Sequence, residues 1–257
     1  QTPDGTYENK KSDGIYMENG TLNRLAGNSN IIINDTITTK AGIFNINDQT
    51  HTGIVELNNT INADNLYLHS GTLKLGAKAN IQTGSFGSIG IDSVTLDLQN
   101  NQATQTTLNT LTINSNLNLK IDADLQSETV DSLNITNITP NGHSINLADI
   151  NLISDLQNKD FAAAKFLNNA TIPLTITSTV DAYLTTNYKY AISTISENGA
   201  GYLLFYKEGV NLGLPMAIRT PGNVVYSQTE DEIINNWIIS SNIKSDKFTL
   251  NGNNHTI

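Results

Sequence analysis

Aliphatic residues alternate with polar residues in short runs along much of the chain, and each run ends in a turn of Asn, Gly, Asp or Thr. In one such run, Val94, Leu96 and Leu98 are separated by polar residues. A period of two places the aliphatic side chains on one face of a strand and excludes an amphipathic helix. The pattern therefore predicts a chain built largely of half-buried β-strands.

The runs recur at intervals of roughly twenty residues, a period typical of solenoid repeats. A single rung of this size buries too few aliphatic residues to offset its loss of chain entropy, so the rungs must stack. A meander or sandwich needs frequent tight hairpin turns, yet residues 1–155 contain only two Asn-Gly dipeptides, Asn19-Gly20 and Asn141-Gly142. We therefore expect a β-solenoid. We call the aliphatic residues that mark its successive repeats the anchors, and they are Ile33, Leu57, Leu75, Leu96, Ile113 and Ile135.

The pattern changes after residue 155 and divides the chain into three predicted parts. Residues 1–155 are expected to form the solenoid, and residues 156–213 a mixed capping subdomain. Residues 214–257 are expected to contain a linker, a capping helix and the first strand of a further solenoid. Because the chain begins without Met and stops within an alternating segment, we expect it to be a piece of a longer protein.

Three elements are predicted beyond the repeat. Asp160 is a potential N-cap for a short helix over Asp160–Leu167. The segments Tyr188–Ile195 and Tyr202–Tyr206 flank a Gly-containing turn, which predicts an antiparallel hairpin lying over the last rung. Thr229–Glu232 matches a capping box before a second helix.

Composition excludes several classes of function. The formal net charge is −10 and the only arginines are Arg24 and Arg219, so a nucleic-acid partner and docking onto an anionic membrane are not expected. No apolar run is long enough for a membrane helix. The chain lacks cysteine, which excludes disulfides and thiolate metal sites. Asn is nearly as common as all charged residues together, so amides and hydroxyls dominate the expected surface.

The phrases Leu66–Leu75 and Leu250–Ile257 resemble the β-helical passenger regions of bacterial autotransporters and filamentous surface adhesins. This resemblance implies an all-β fold, specifically a right-handed parallel β-helix. It also implies export to the outer membrane and display at the bacterial cell surface as a secreted virulence factor for cell adhesion. The shared motif is structural, so the resemblance transfers no functional residue and implies no cofactor.

Polysaccharide lyases and glycoside hydrolases also use the parallel β-helix, and they provide the alternative function. Asp122 and Asp124 share one strand face, with Asp97 and Asp131 expected one rung away, and such carboxylates could bind calcium or act as acid and base. The simpler interpretation makes them solvated residues at turns. Lys120 is the only nearby cation, whereas lyase chemistry generally needs a basic residue at the site.

The remaining candidate motifs are weak. The histidines His51, His69, His143 and His255 show no metal-ligand spacing and are expected at turns or on the surface. Gly84, Gly87 and Gly90 do not match a dinucleotide loop and indicate a tight turn or bulge. The Thr-x-Thr pairs resemble those of ice-binding faces, and they are Thr36/Thr38, Thr110/Thr112 and Thr175/Thr177. They do not recur on consecutive predicted rungs, as an ice-binding face would require.

The densest aromatic region lies in the predicted hairpin, and exposed tyrosines favour binding. Tyr188, Tyr190, Tyr202 and Tyr206 are the candidate binding residues, although they could instead pack within the cap. We therefore expect a non-catalytic adhesive or structural segment. Its expected partner is a host protein, a glycan or a second copy of itself. A trimeric phage or filament spike remains a further alternative.

Overall fold

The computed structural model describes residues 7–8, 14–154, 156, 161–169, 174–180, 182–185, 188–197, 200–210, 223–227 and 247–251. Within these ranges the chain is all-β and contains no helix. The strands form two sheets, which we call sheet I and sheet II, of nine and thirteen strands.

The first twelve strands are β1 (Tyr7–Glu8), β2 (Ile15–Glu18), β3 (Thr21–Arg24), β4 (Asn30–Ile33), β5 (Ile37–Ile46), β6 (Ile54–Leu57), β7 (Ile61–Leu68), β8 (Thr72–Leu75), β9 (Ala79–Phe86), β10 (Ser93–Asp97), β11 (Gln105–Ile113) and β12 (Asn116–Asp124). The others are β13 (Thr129–Val130), β14 (Ser132–Thr139), β15 (Ile145–Ser154), β16 (Phe161–Asn169), β17 (Ile176–Ser178), β18 (Ala182–Thr185), β19 (Tyr188–Glu197), β20 (Ala200–Val210), β21 (Asn223–Ser227) and β22 (Lys247–Asn251).

Between residues 30 and 169 the chain alternates between the two sheets. Sheet I has the order β4-β6-β8-β10-β12-β15, and sheet II has the order β5-β7-β9-β11-β14-β16. We call a sheet I strand and the sheet II strand that follows it a rung. Within these two orders each strand pairs in parallel with its neighbours, as in Val55 with Leu73 and Leu96 with Leu119. This arrangement is consistent with the predicted β-solenoid.

The rungs vary in length because their turns differ. Val55 pairs with Leu73 in one pair of sheet I strands, whereas Leu147 pairs with Ser178 in another. The anchors Ile33, Leu57 and Leu75 occupy one column, as their pairing shows. Ile113 and Ile135 lie in sheet II instead. The repeat in the sequence therefore marks rungs correctly but mixes positions from the two sheets.

The core lies between the inward faces of the two sheets. Phe44, Leu66 and Leu111 are fully buried in sheet II and face fully buried aliphatic residues of sheet I. In sheet II the alternation is interrupted once per rung, because two consecutive residues such as Asp64 and Asn65 both lie outside the core. The long strand bends there, so that both of its halves bury their aliphatic side chains.

The strand β16 corrects the predicted helix over Asp160–Leu167. Burial alternates along it, with Ala162, Ala164 and Phe166 buried and Phe161 and Lys165 exposed. It pairs in parallel with β14 and antiparallel with β20. Hydrogen bonding to neighbours on both sides outweighs the local helical preference of the alanines. Asp160 itself lies outside the described residues.

The predicted hairpin is confirmed. Strands β19 and β20 pair antiparallel, with Ile195 opposite Tyr202. Parallel pairing of the stack continues beyond residue 155, since β15 pairs with β17 and β14 with β16. The only antiparallel pair before residue 155 in the described ranges joins β12 and β13. The helix predicted after Thr229–Glu232 lies outside the described residues, and the boundaries of the three parts stay predictions.

Candidate functional sites

An exposed aromatic cluster lies on the outer face of β16 and β20. Phe161 pairs with Tyr206, and their ring centroids are 5.0 Å apart. Four residues along each strand, the Lys165 Nζ lies 5.5 Å from the centre of the Tyr202 ring, within the range of a cation–π contact. The side chains of Phe161 and Tyr206 are 44% and 43% exposed. We call these four residues the aromatic cluster.

The sequence identified only half of this cluster. Tyr202 and Tyr206 are among the predicted binding residues, whereas the side chains of Tyr188 and Tyr190 lie outside the described side chains. Phe161 and Lys165 were missed because their segment was predicted to be helical. Reading Phe161 to Phe166 with a period of two would have placed Phe161 and Lys165 on one face.

The carboxylates of Asp122 and Asp131 are fully buried and brace the turn between β10 and β11. Asp122 accepts hydrogen bonds from the backbone N–H groups of Asn100 and Gln102 at 2.7 and 3.1 Å, and from the side-chain amide of Asn151. Asp131 accepts from the Thr104 N–H at 2.6 Å and from the Thr104 hydroxyl at 2.9 Å. The other Asp131 oxygen accepts from the Asp122 N–H at 2.6 Å.

The expectation of solvated carboxylates is therefore wrong for Asp122 and Asp131. Burial raises the pKa of Asp131 to about 7, against the opposing effect of its hydrogen bonds from Asp122 and Thr104. Burial also raises the pKa of Asp122. Because both side chains have no exposed surface, a polysaccharide could not reach them in this conformation.

Asp124 performs a similar role nearer to solvent. It accepts hydrogen bonds from the hydroxyl of Ser154 and from the backbone of Gln126 and Ser127. Burial alone would raise the pKa of Asp124, but these hydrogen bonds outweigh it and lower the pKa. Asp122 and Asp124 thus brace separate turns, and Lys120 pairs instead with Asp97 and Asp149.

Asp97 and Lys120 belong to a column of alternating charges on the outer face of sheet I. Strand pairing places Glu56 beside Lys74, Lys74 beside Asp97, Asp97 beside Lys120 and Lys120 beside Asp149. The Lys74 Nζ lies 3.8 Å from the Glu56 carboxylate. Burial raises the pKa of Asp97, and the neighbouring Lys120 and Lys74 oppose this shift. We call these five residues the charge column.

We expect Lys120→Glu to lower the free energy of unfolding by about 1–2 kcal/mol, because it places three like charges directly opposite one another on adjacent strands. The loss should shrink at high salt. Urea unfolding of the variant measures it, with Lys78→Glu as a control that changes the net charge equally at an exposed position. Equal losses in the two variants would contradict a specific role for the column.

The described histidines lie in turns or directly after a strand, as expected. The His51 Nδ1 lies 2.7 Å from the Asp48 carboxylate, and hydrogen bonds from His51 and Thr50 hold the pKa of Asp48 well below its usual range. The His69 ring bridges the Asn45 side chain at 3.0 Å and the Ser88 hydroxyl at 3.2 Å. His143 lies in the turn before β15, and His255 lies outside the described residues.

The glycines of the Gly84–Gly90 segment, Gly84, Gly87 and Gly90, play different roles. Gly84 faces the core, where an added Cβ would lie 3.0 Å from the Leu108 side chain. Gly87 has φ +92°, and a Cβ there would lie 2.5 Å from the backbone nitrogen of Ser115 in a neighbouring rung. Gly90 has φ +83° but open space around it. Gly87 and Gly90 therefore confirm the predicted turn, whereas Gly84 is a packing residue.

A second outward surface, on the later half of the sheet II strands, contains no charged side chain. Strand pairing aligns two columns of six residues across β3, β5, β7, β9, β11 and β14. All of these side chains are exposed or half-buried. We call this surface the uncharged face, and its residues are Thr21, Asn23, Ile43, Asn45, Asn65, Tyr67, Thr83, Ser85, Thr110, Thr112, Asn137 and Thr139.

The uncharged face qualifies the sequence interpretation of the Thr-x-Thr pairs. Thr110 and Thr112 pair with Thr83 and Ser85 on one side. On the other side they pair with Asn137 and Thr139. The pair does not recur as Thr-x-Thr, so the regular hydroxyl lattice of an ice-binding face is not formed. The columns do recur as small uncharged hydrogen-bonding groups, a feature that is visible only once the register is known.

Comparisons with protein-family models, with curated proteins and with solved structures give no match. Among the residues that the structure describes, no group of three or more His, Asp or Glu side chains is arranged to hold a metal ion. In the same part of the chain, no helix has the length and hydrophobicity needed to cross a membrane.

Proposed function

We propose that this chain is a segment of a bacterial cell-surface adhesin or surface structure, built as a right-handed parallel β-helix and displayed outside the cell. It acts without catalysis, by binding a host protein or glycan. The observation that carries the proposal is the alignment of outward side chains into continuous columns over successive rungs. Such a stack places a long, regular surface in solvent, and that surface determines what is bound.

The distribution of charge supports binding and not catalysis as the role of this surface. The buried carboxylates of Asp122 and Asp131 satisfy backbone N–H groups of the chain itself. Lys120, the cation nearest to them in sequence, lies in the charge column beside Asp97 and Asp149. The aromatic cluster and the uncharged face are two groups of outward side chains that are available to a partner.

The aromatic cluster is the part of the surface best suited to contact a protein. Aromatic side chains bury a large apolar area at low entropic cost, and they are enriched in the centres of interfaces. Phe161 and Tyr206 stand beside each other, while Leu204, which lies between Tyr202 and Tyr206 on the same strand face, is buried. The two rings therefore stay exposed beside an aliphatic side chain that is already buried.

We expect beads coated with the chain to adhere to host cells or to immobilised matrix proteins. The double variant Phe161→Ser/Tyr206→Ser should bind about tenfold fewer beads, since losing two anchor residues costs about 1.4 kcal/mol or more. Tyr16→Ser is the control, because Tyr16 is 63% exposed and lies on β2, far along the stack. Thermal unfolding should be unchanged in all variants.

Three results would overturn the proposal. Absence of adhesion to every cell and matrix surface would exclude an adhesive role. Release of reducing or unsaturated sugars from a polysaccharide by the purified chain would favour a glycan-cleaving enzyme instead. Light scattering that shows a stable trimer would favour a phage or filament spike.

A further inference from the structure

The uncharged face differs sharply from the charge column on sheet I of the same stack. Its twelve residues include no Asp, Glu, Lys or Arg over six strands. The charge column on sheet I has five charged residues in succession over five strands. None of its twelve side chains therefore offers a cation to the carboxylate or sulfate of an acidic partner, and the formal net charge of −10 also repels such a partner.

The size of the uncharged face limits what it can bind. Six strands spaced about 4.8 Å apart extend about 24 Å along the stack, and two outward columns are roughly 10 Å wide, which gives roughly 250 Å². A stable protein interface needs about 800 Å² from each partner. A protein or a second copy of the chain would therefore need much more surface than this face offers. A single oligosaccharide lying along the stack would fit it.

The face repeats with the geometry of a sugar chain. Its rungs recur about every 4.8 Å, close to the length of one sugar residue in an extended glycan. Ten of the twelve side chains are Thr, Ser or Asn, which can both donate and accept hydrogen bonds, and the other two are Ile43 and Tyr67. Every rung presents at least one of these ten. Such groups match the hydroxyls of a neutral glycan, one sugar to each rung.

Several of these side chains are already held in place. The Asn45 side-chain amide donates to the Asn23 side chain at 2.9 Å, and the Asn65 amide donates to the Gly42 carbonyl at 3.1 Å. Each amide keeps a second N–H for a ligand. Because the side chains are ordered before binding, less conformational entropy is lost when a glycan binds.

An aromatic group completes the face. The Tyr67 ring lies within the second column, and its centroid is 6.0 Å from that of His69 in an edge-to-face arrangement. His69 in turn contacts Asn45 and Ser88. The Tyr67 ring is thus fixed, half-buried and next to the amides, and it offers an apolar contact for the face of one sugar ring.

From these observations we infer that the uncharged face binds a neutral glycan chain along the axis of the stack, with Tyr67, Thr83 and Thr110 among its contacts. This inference rests on the proposed function, since it names the ligand of one surface of the displayed stack. It is separate from the aromatic cluster, which is suited to a protein partner.

The test is affinity electrophoresis of the full chain in gels that contain a neutral glycan (dextran, galactomannan or a mixed-linkage β-glucan) or an acidic one (alginate or heparin). The double variant Thr83→Glu/Thr110→Glu places carboxylates on two adjacent rungs of the uncharged face. Its matched control is Thr72→Glu/Thr95→Glu, which alters half-buried threonines of the same two rungs on sheet I. The two variants have the same net charge, so their mobilities without glycan should be equal.

We expect at least one neutral glycan to retard the chain. The double variant of the uncharged face should weaken this binding by about tenfold or more, as should Tyr67→Ala, whereas the control should match the wild type. Thermal unfolding of the two double variants should agree. Retardation by acidic glycans alone, by no glycan, or equally in both double variants would overturn the inference.

Two other results separate this inference from the proposed function. If coated beads still adhere to cells while no neutral glycan binds, the inference fails and the adhesive role stands. If light scattering shows self-association that only the variant of the uncharged face abolishes, the face is occupied by a second copy, and the glycan assignment is overturned.

Discussion

Asp131→Ala is expected to lower the free energy of unfolding by about 3–5 kcal/mol. The substitution removes the acceptor for the Thr104 N–H and hydroxyl and for the Asp122 N–H. A buried donor left without an acceptor costs about 1–3 kcal/mol. The loss of Asp131 also releases the turn that precedes β11, so neighbouring rungs lose their fixed register there. Urea unfolding followed by circular dichroism measures the effect.

Asp124→Ala is the matched control for that variant. Asp124 braces a turn in the same way and lies two residues from Asp122, but its turn is exposed and water can replace its hydrogen bonds. Its loss should cost about 1 kcal/mol. Similar losses for the two variants would show that burial of the Asp131 carboxyl does not determine its importance.

The raised pKa of Asp131 predicts how the stability of the chain depends on pH. The pKa of Asp131 is about 7 in the folded chain and 3.8 as an unperturbed carboxyl. Between these values the folded state binds more protons than the unfolded state, so stability falls as pH rises from about 4 to about 7. The full change from this residue is about 4 kcal/mol. The raised pKa of Asp122 acts in the same direction.

Comparison with Asp131→Asn isolates this contribution, because Asn has a similar shape and does not titrate. The stability of the wild type relative to that variant should decrease from pH 4 to pH 7 and then level off. A relative stability that increases over this range would mean that the three hydrogen bonds outweigh burial and keep the pKa low.

Gly87→Ala is the second substitution with a large expected effect, a loss of about 3 kcal/mol or more. Two causes act together at this position. The backbone has φ +92°, a conformation that costs a residue with a Cβ roughly 1–2 kcal/mol. The Cβ would also lie 2.5 Å from the Ser115 nitrogen, so the turns of neighbouring rungs would have to separate. Ser115 is fully buried, and its hydroxyl donates to the Ile91 carbonyl at 2.6 Å.

Gly90→Ala separates the two causes. Gly90 lies in the same turn with φ +83°, but an added Cβ there would have no heavy atom within 4 Å beyond its own chain neighbours. Its substitution should therefore cost only the backbone strain, about 1–2 kcal/mol. Thermal unfolding of both variants tests the difference. A loss at Gly90 as large as that at Gly87 would rule out close stacking of the turns as the cause.

The strands of the stack were predictable because each rung repeats a local pattern with a period of two. Leu66 and Leu68 alternate with polar residues, and both are fully buried. The segment from Phe161 to Asn169 was not predictable in this way. Its run of alanines fits a helix or a strand, and only pairing with β14 and β20 decides between them.

The candidate sites also contain residues that the sequence identified and residues that only the tertiary structure identified. The tyrosines of the hairpin stand out by composition, so Tyr202 and Tyr206 were found. Phe161 joins them only through strand pairing. Asp122 and Asp131 look like surface residues in the sequence, because a carboxylate is rarely buried unless a specific set of donors surrounds it. Those donors come from Asn100, Gln102 and Thr104 in another rung.

The sequence by itself determined that this chain consists of stacked strands with aliphatic residues inside and amides and hydroxyls outside, since local periodicity specifies which side of a strand is buried. Only the tertiary structure decided the register between rungs. That register aligns Thr83 with Thr110 to build the uncharged face, and Lys74 with Asp97 to build the charge column. The physical reason is that the lengths of the turns set the register, and their conformations depend on contacts such as those of Asp131 and Gly87 with neighbouring rungs.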